Sequence, residues 1–275
     1  MLNDFQEIRI HGQSASHMAQ GRVVMLHVLI PAFNEEKNIG ALLEESRRVL
    51  SGAELDYRLL VVNDASTDGT VRILETYIDK MPLEVINHES NQNQGGAIRS
   101  GLDNILNDAA DGDFIVTLDA DSAHQPQNIL AIYDRLLDGQ DVVITSRYLS
   151  GGEEWGAPRW RRYLARLCNW LLARFFPIDE ISDYTGSFRG FRVSALRSAW
   201  GDQGAAVLQE EDFTVVPEIL ICLRGKGLNF DEIPLILRYD LKRGQKTKIV
   251  VSKVLKATMR LIWRKLRGGR TGRKN

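Results

Sequence analysis

Residues 27–70 read HVLIPAFNEEKNIGALLEESRRVLSGAELDYRLLVVNDASTDGT. The stretch begins with a short apolar strand pattern at 27–30, continues with apolar residues at helical spacing over 36–50, and ends with a second strand pattern at 57–62. A strand, a helix and a second strand in this order predict a βαβ unit with two parallel strands. Polar strings follow both strands, and ligands of such sheets bind outside the carboxyl ends of the strands. Both strand ends are therefore candidate parts of a binding site.

The same alternation continues along the chain. Three more strands are expected at 83–86, 114–118 and 141–145, with helices at 70–78, 95–106 and 126–137. Later segments favour a helix after residue 156, a short strand at 188–191, a further helix and a strand at 228–237. The sequence therefore predicts an α/β protein with a Rossmann-like, mostly parallel sheet flanked by helices, in a single domain.

The composition is that of an ordinary folded protein. Of the 275 residues 44% are hydrophobic, and a formal net charge of −1 gives no reason to expect nucleic-acid binding. Cys168 and Cys222 form no metal-binding pair, which favours a reduced, cytoplasmic setting. No stretch offers the roughly 20 apolar residues of a membrane-spanning helix. The first 21 residues lack the apolar core of a secretory signal.

Basic residues are concentrated in two segments. Residues 241–275 hold 13 Lys/Arg and residues 157–177 hold five Arg, and neither segment has an acid. Apolar and aromatic residues recur at helical spacing in both, as in a helix that lies in a bilayer interface. A solvated basic tail, and a core helix whose arginines extend to solvent, are the alternative interpretations. The charge pattern thus favours, without requiring, a protein bound to a membrane surface.

Two aspartates follow the strand expected at 114–118. Asp119 and Asp121 stand two residues apart in the string DADS, so both carboxylates can face one pocket after the chain turns. Together with phosphate oxygens they would provide the ligands that Mg²⁺ or Mn²⁺ prefers. Neither a P-loop nor a GxGxxG string after the first strand is found, and no serine elbow or Cys/His pair stands out. Kinase, dinucleotide oxidoreductase and acyl-transfer chemistry are therefore disfavoured.

Six strings, taken together, resemble a known family. They are VLIPAFNEEKNI, VVNDASTDGT, NQNQGGAIRSGL, VTLDADSAHQP, TSRY and DYTGSFRGFR, in the family's order and spacing. The chain resembles the inverting GT-A glycosyltransferases of family 2, in particular the branch of dolichyl- and polyprenyl-phosphate mannosyltransferases. The resemblance implies a GT-A domain over 25–248. On this division a loose extension over 1–24 precedes the domain, and a basic amphipathic tail over 249–275 follows it.

The resemblance also implies roles for individual residues. Those expected to bind the nucleotide-sugar are Pro31, Phe33, Glu35, Asp64, Gly96, Asp119 and Lys248. Asp119 and Asp121 match the metal motif, and the residues expected to act on the acceptor side are Arg147, Arg161, Arg189 and Glu218. The chain departs from the family pattern at Ala123, where a glutamine often helps to hold the metal. It also departs at Lys246-Thr247-Lys248, where a Gly-x-Ser-Lys ending is usual.

Structural interpretations of three of these residues stay open. Arg147 could be one half of an ordinary surface ion pair, Arg189 could be a structural arginine at the rim of the core, and Glu218 could orient an arginine or lysine.

The implied activity is inverting transfer of a hexose from a GDP-mannose or UDP-glucose type of donor to a polyprenyl or dolichyl phosphate. Mg²⁺ or Mn²⁺ would be the cofactor, and the protein would lie at the cytoplasmic face of a membrane. A first alternative is a soluble or glycan hydroxyl acceptor, with Glu211 or Asp212 as the base. A second is a protein that binds a nucleotide-sugar or a membrane surface without turnover. Donor base, sugar and oligomeric state stay open at this level.

Overall fold

A computed structural model describes residues 18–19, 22–242 and 250–271 of the chain. Its main sheet contains seven strands: β3 (Leu26–Ala32), β4 (Tyr57–Asn63), β5 (Leu83–Asn87), β6 (Phe114–Thr117), β7 (Val142–Ser146), β9 (Arg189–Arg192) and β10 (Phe230–Pro234). Four short strands pair outside that sheet: β1 (Met18–Ala19) with β2 (Arg22–Val23), and β8 (Glu153–Trp155) with β11 (Ile236–Arg238). The pair β1–β2 lies inside the predicted N-terminal extension.

The strand order in the main sheet is β10-β7-β9-β6-β3-β4-β5. All neighbours are parallel except β9, which runs antiparallel to both β6 and β7. The predicted mostly parallel sheet is therefore confirmed. Since β3, β4, β6 and β7 run in one direction, their carboxyl ends meet at the same edge of the sheet.

Eight α-helices are described, and they flank the sheet: α1 (Ile39–Gly52), α2 (Thr70–Glu75), α3 (Asn93–Asp108), α4 (Asn128–Leu137), α5 (Arg159–Phe175), α6 (Val193–Trp200), α7 (Val215–Leu223) and α8 (Val251–Thr271). A 3₁₀ helix over Gly201–Val207 follows α6. Apolar residues of α1, α2 and α4 pack against one face of the sheet. Those of α3, α6, α7 and α8 contribute to the core on the other face.

The side chains of each strand point alternately to the two faces of the sheet, and this produces the two cores. In β3, Val28 and Ile30 join one apolar cluster while Leu29 joins the other. Leu59 and Leu60 of β4 divide in the same way. Successive side chains of a strand point to opposite faces, and a parallel sheet covered on both faces needs apolar residues on both. This is why the predicted strands appear as continuous apolar runs.

Two element boundaries differ from the prediction. β3 continues through Pro31 to Ala32, where the sequence predicted a stop. Pairing with β6 ends at Leu29, so Pro31 extends the strand with β4 as its neighbour, in the manner of an edge residue, where proline is tolerated. The strand predicted at 228–237 is two strands, because the chain leaves the main sheet after Pro234 and pairs with β8 instead.

The predicted basic C-terminal helix is present as α8, and it packs on the domain. Its Leu261 and Ile262 are buried in the core cluster that also contains Leu172 of α5. Within the ranges that the structure describes, no helix combines the length and the apolar character that a membrane-spanning helix requires.

Candidate active site

A cleft of about 540 Å³ opens at the shared carboxyl edge of the sheet. Phe33 follows β3, Asp64 follows β4, Asp119 follows β6 and Arg147 follows β7, and all four line the cleft. The first turns of α3, one face of α5 and the start of α7 form its walls. Strand ends that are distant in sequence therefore meet around one ligand-sized space.

The structure brings most of the predicted site residues to this cleft. Those that line it are Pro31, Phe33, Glu35, Asp64, Asp119, Asp121, Arg147 and Arg161. Gly96, Arg189 and Glu218 are described but do not line it. Lys246 and Lys248 lie outside the described residues, so the predicted closure over the diphosphate by Lys248 stays a prediction.

Asp64 is oriented by a chain of contacts behind the cleft wall. Its Oδ1 lies 2.7 Å from His88 Nδ1 and accepts a hydrogen bond of 2.8 Å from the backbone N–H of Gln92. Nε2 of His88 lies 3.0 Å from Oγ of Ser100. Since the Asp64 side chain is only 4% exposed, these contacts fix its direction. A carboxylate held in this way can accept an N–H or O–H group from a base or a ribose.

Glu35 belongs to a loop that is bound to the loop after β4. Asn34, at a φ of 54°, donates its backbone N–H to Ser66 Oγ and accepts a hydrogen bond from the Thr67 N–H at 2.8 Å. Oε2 of Glu35 accepts a hydrogen bond of 2.6 Å from Asn38 Nδ2. Burial raises the pKa of Glu35 above its ordinary value. The two loops thus form one rigid end of the cleft.

Asp119 lies directly after β6 and receives neutral hydrogen-bond donors. Ser187 Oγ donates to its Oδ2 at 2.7 Å, and Gln94 Nε2 approaches its Oδ1 at 3.4 Å. Burial raises the pKa of Asp119. Gln94 comes from the first turn of α3 and Ser187 from the segment before β9, so the carboxylate is positioned by both walls of the cleft.

Asp121 is paired with a lysine that the sequence analysis did not identify. Lys242 Nζ lies 2.9 Å from Asp121 Oδ2, and the two side chains are 22% and 14% exposed. Burial opposes ionisation of Asp121, but the Lys242 ammonium, together with His124, outweighs it and holds the pKa of Asp121 below its ordinary value. Lys242 stands in a string with several basic residues, and no feature of that string marks it out.

The two aspartates suit a divalent cation that also binds a phosphate group. Mg²⁺ is usually held by one or two carboxylates together with substrate phosphates and waters. Across the described ranges, no group of three or more His, Cys, Asp or Glu side chains could hold a metal ion by itself. Ala123 supplies no side-chain oxygen where a glutamine is frequent in the resembling family. The residues present therefore fit a cation whose coordination is completed by a ligand.

Arg147 is the centre of a buried ion-pair cluster. Its Nε and Nη2 each bond to a different carboxylate oxygen of Asp183 at 2.7 Å, and its Nη1 bonds to Glu154 at 2.8 Å. Nη2 also donates to Thr185 Oγ1 at 2.7 Å. Burial opposes ionisation of Asp183, but Arg147 holds the pKa of that carboxyl below its ordinary value. Four of the five N–H donors of a guanidinium are thus occupied, in an ion pair that is buried and not at the surface as the alternative interpretation had it.

Arg161 presents a different arrangement on the same side of the cleft. Its guanidinium carbon lies 4.0 Å from the centre of the Tyr239 ring, and its Nη2 donates to Tyr239 Oη at 2.9 Å. Among the described residues its partner is the Tyr239 ring and hydroxyl, and no carboxylate forms an ion pair with it. Burial raises the pKa of Tyr239 to about 12, which keeps the phenol neutral. Arg161 therefore offers the cleft a positive charge that pairs with no carboxylate in the part of the chain that the structure describes.

Arg189 and Gly96 lie behind the cleft. Arg189 is 1% exposed, and its guanidinium donates to the carbonyl oxygens of Val216 at 2.5 Å and Tyr184 at 2.7 Å. Burial lowers its pKa to about 9. These contacts tie β9 to α7 and fit the structural interpretation of Arg189. At Gly96 a Cβ would come within 2.3 Å of Gln92 Cβ, so the glycine leaves room for the residue that holds Asp64.

Glu218 is also buried and holds basic residues of α8. Its Oε2 accepts the backbone N–H groups of Gln209 and Glu210, at 2.9 and 2.8 Å. Its Oε1 lies 2.5 Å from Arg264 Nη2 and 2.7 Å from Lys265 Nζ. Placed here, Glu218 orients an arginine and a lysine, which is the structural interpretation left open by the sequence.

The helices beside Arg161 expose an aromatic and basic surface, which we call the α5–α8 surface. Its exposed apolar residues are Trp160, Tyr163, Leu167, Trp170 and Phe175 of α5, and Val251, Met259, Trp263 and Leu266 of α8. Other residues of the same helices line the cleft: Arg161, Leu164, Ala165 and Cys168 of α5, and Val254 of α8. The α5–α8 surface is therefore continuous with one wall of the cleft.

The family model described as glycosyl transferase family 2 matches residues 27–200, which is more than half of the chain. A dolichol-phosphate mannosyltransferase from Pyrococcus furiosus is 28% identical over 221 residues, covering 80% of this chain and 58% of that protein. A dolichyl-phosphate beta-glucosyltransferase from Trichomonas vaginalis is 25% identical over 219 residues, covering 75% of this chain and 62% of that protein. The chain thus spans about three fifths of the length of these two relatives.

Solved structures agree on the fold. Glucosyl-3-phosphoglycerate synthase from Mycobacterium tuberculosis, in complex with Mn²⁺, UDP and phosphoglyceric acid, aligns with a TM-score of 0.62 at 17% identity. The alignment covers 87% of this chain and 78% of the mycobacterial chain. At this identity the similarity concerns the arrangement of strands and helices.

Proposed function

Because the chain belongs to glycosyl transferase family 2, we propose that it transfers a hexose from a nucleoside-diphosphate sugar to a polyprenyl or dolichyl phosphate, with inversion at the anomeric carbon. One observation carries the proposal. A single cleft contains both an aspartate pair suited to a metal and a diphosphate, and Arg161. Arg161 has no carboxylate partner among the described residues and lies on a wall continuous with the α5–α8 surface. The names of the Pyrococcus and Trichomonas relatives support a lipid phosphate as acceptor.

The donor half of the reaction uses the end of the cleft around Asp64. Asp64 and Glu35 accept hydrogen bonds from the base and the ribose, while Phe33, 46% exposed, offers an apolar surface to the base. Asp119 and Asp121 would hold Mg²⁺ or Mn²⁺, which when bound supplies Lewis-acid stabilisation of the diphosphate leaving group. The base and the hexose, of the GDP-mannose or UDP-glucose type, follow from the assay below.

The acceptor half uses Arg161. An acceptor phosphate is largely ionised at neutral pH, since its second pKa is near about 6, and it can attack the sugar carbon without a general base. The acceptor phosphate must still be positioned for attack and its negative charge partly neutralised, and the planar guanidinium of Arg161 does both. Arg147 lines the same wall with one N–H unoccupied, so it acts mainly by holding Asp183 and Glu154 in position. Attack opposite the leaving diphosphate inverts the anomeric carbon.

The α5–α8 surface brings this cleft to the lipid. Exposed Trp and Phe side chains among Arg and Lys residues are the composition of helices that lie in a bilayer interface. The acceptor chain can then remain in the lipid while its phosphate reaches Arg161. We accordingly propose a peripheral position at the cytoplasmic face of a membrane.

The alternative with a hydroxyl acceptor requires a base in the cleft. Glu211 and Asp212, its candidates, are exposed and do not line the cleft. The alternative without turnover requires that the aspartate pair be unable to support transfer. One assay distinguishes all three.

The purified chain is incubated with radiolabelled UDP-glucose or GDP-mannose, Mg²⁺ or Mn²⁺, and detergent-solubilised undecaprenyl or dolichyl phosphate. We expect label in the organic phase with one donor, dependent on metal and lipid phosphate. Asp119→Asn, which keeps the side-chain shape, is the matched control and should give none. Transfer to a soluble or glycan hydroxyl without lipid phosphate would replace the proposal by the first alternative. Donor binding without transfer to any acceptor would replace it by the second.

A further inference from the structure

Lys242 contacts a carboxylate oxygen of Asp121 that would be a ligand of a metal bound at Asp119 and Asp121. Its Nζ lies 2.9 Å from Asp121 Oδ2, whereas Asp121 Oδ1 accepts the backbone N–H of Ala123 at 3.1 Å. The neighbouring Asp119 receives donors from Ser187 and Gln94, which carry no charge. The cationic side chain thus makes its 2.9 Å contact with Asp121, while the hydrogen-bond donors to Asp119 are uncharged.

We infer that Lys242 acts as a resident cation at Asp121, which yields to a divalent metal when the donor diphosphate arrives and so couples metal binding to donor binding. The inference rests on the proposed function, since it assumes metal-assisted transfer at Asp119 and Asp121. It assigns Lys242 a positioning role that differs from the closure predicted for Lys248.

A count of charges supports the exchange. Asp119 and Asp121 carry two negative charges when ionised, and Lys242 returns one positive charge. A divalent metal added beside the ammonium would place two cations close together at low exposure, which Coulomb's law disfavours. A diphosphate brings negative charge to the same place and offers the ammonium a new partner. The diphosphate therefore lowers the cost of moving Lys242 away from Asp121.

The chemistry of lysine suits such an exchange. An ammonium is a compact charge on a flexible stem of four carbons and can rotate its three donors towards a new acceptor. Arg161, another cation of the cleft, is stacked on Tyr239 and bonded to its hydroxyl. It makes a matched control, because it is a cation of the same cleft that contacts neither aspartate.

The test is a measurement of Mn²⁺ affinity, not of activity. Mn²⁺ binding is followed by the electron paramagnetic resonance signal of the free ion, without nucleotide and with saturating GDP or UDP. The proteins are the wild type, Lys242→Met, Lys242→Gln and Arg161→Met, each checked by circular dichroism. The second Lys242 variant guards against a folding defect in the first.

Binding of Mn²⁺ alone should tighten on the order of tenfold in both Lys242 variants, a coupling of ordinary size for linked sites. The further gain in affinity produced by the nucleotide should shrink by a similar factor. Arg161→Met should keep both values within about twofold, because charges that are not in contact are screened. The differences between variants isolate the contact with Asp121 from the general field of the cleft.

The outcomes separate the inference from the proposed function. Unchanged binding of Mn²⁺ alone in the Lys242 variants overturns the inference, and so does an undiminished nucleotide effect. An equal gain in Arg161→Met also overturns it, since any cleft cation would then do the same. If the wild type binds no Mn²⁺ even with either nucleotide, the metal site of the proposed function fails as well, and that result is distinct from the others.

Discussion

Substitution of Arg147 and of Arg161 should affect two different properties of the protein. Arg147→Met removes the partner of Asp183 and Glu154, whose side chains are 0% and 10% exposed. Arg161→Met removes a guanidinium that contacts the ring and hydroxyl of Tyr239. We expect the first substitution to reduce stability and the second to reduce use of the acceptor.

The magnitudes follow from what each substitution leaves behind. Removing one partner of a buried ion pair destabilises a protein by about 3–5 kcal/mol. Asp183 keeps backbone N–H donors from Thr185 and Gly186, so the lower end of that range is expected for Arg147→Met. Arg161→Met forfeits a cation–π contact of about 0.5–1 kcal/mol in unfolding free energy. Loss of a charge-assisted hydrogen bond to the acceptor phosphate, about 1.5–3 kcal/mol, would lower acceptor kcat/KM roughly 10- to 150-fold.

Two measurements check this pair of expectations. Urea unfolding gives the free energy of unfolding of each variant, and steady-state kinetics with varied lipid phosphate gives the acceptor KM and kcat. Arg161→Lys should recover part of the lost activity, because it keeps the charge without the planar fork. If Arg147→Met is as stable as the wild type and mainly raises acceptor KM, Arg147 is the phosphate ligand and our reasoning from its four occupied N–H donors is wrong. Donor affinity that falls with Arg161→Met would assign Arg161 to the diphosphate instead.

Three further expectations concern the aspartates, the α5–α8 surface and the docking of α8. Asp119→Asn and Asp121→Asn should each reduce transfer at least about 100-fold, which is the effect of losing one strong electrostatic stabiliser. The circular dichroism spectrum should stay unchanged, and full turnover of the wild type in excess chelator would contradict the metal site. Trp170→Ser combined with Trp263→Ser should weaken salt-sensitive binding to anionic vesicles in a flotation assay, and equal binding of variant and wild type would refute the surface. Arg264→Met should lower the free energy of unfolding by about 1.5–3 kcal/mol, and an unchanged urea midpoint would show that α8 docks without that ion pair.

The sheet could be predicted because its signals are local. The parallel strands β3, β4, β6 and β7 each contain a continuous apolar run, and the polar string after it marks where the strand ends. Asp119 and Asp121 were found for the same reason, since both stand within a few residues of the strand that positions them. Boundaries failed where a neighbouring strand decides the pairing, as at Pro31 and at the break after Pro234.

The partners of charged residues could not be predicted, because they are distant in sequence. Lys242 and Asp121 are 121 positions apart, and Arg147 and Asp183 are 36 apart. A motif identifies the residue type that a reaction needs, but whether an arginine remains free for a ligand depends on which carboxylates the fold brings beside it. TSRY predicted a phosphate-binding arginine and could not reveal Asp183, which belongs to a different string.

The burial of Glu218 shows how this limit affects a functional assignment. The family resemblance implied an acceptor-side role for Glu218, and α7 itself contains no basic residue that could pair with it. The partner comes from α8, where Arg264 and Lys265 reach the buried carboxylate. Removing α8 to test membrane binding would therefore leave a carboxylate unpaired in the core and unfold the protein for an unrelated reason. Substitutions confined to its exposed tryptophan keep these ion pairs, so they test the contact with lipid separately from the contact with the core.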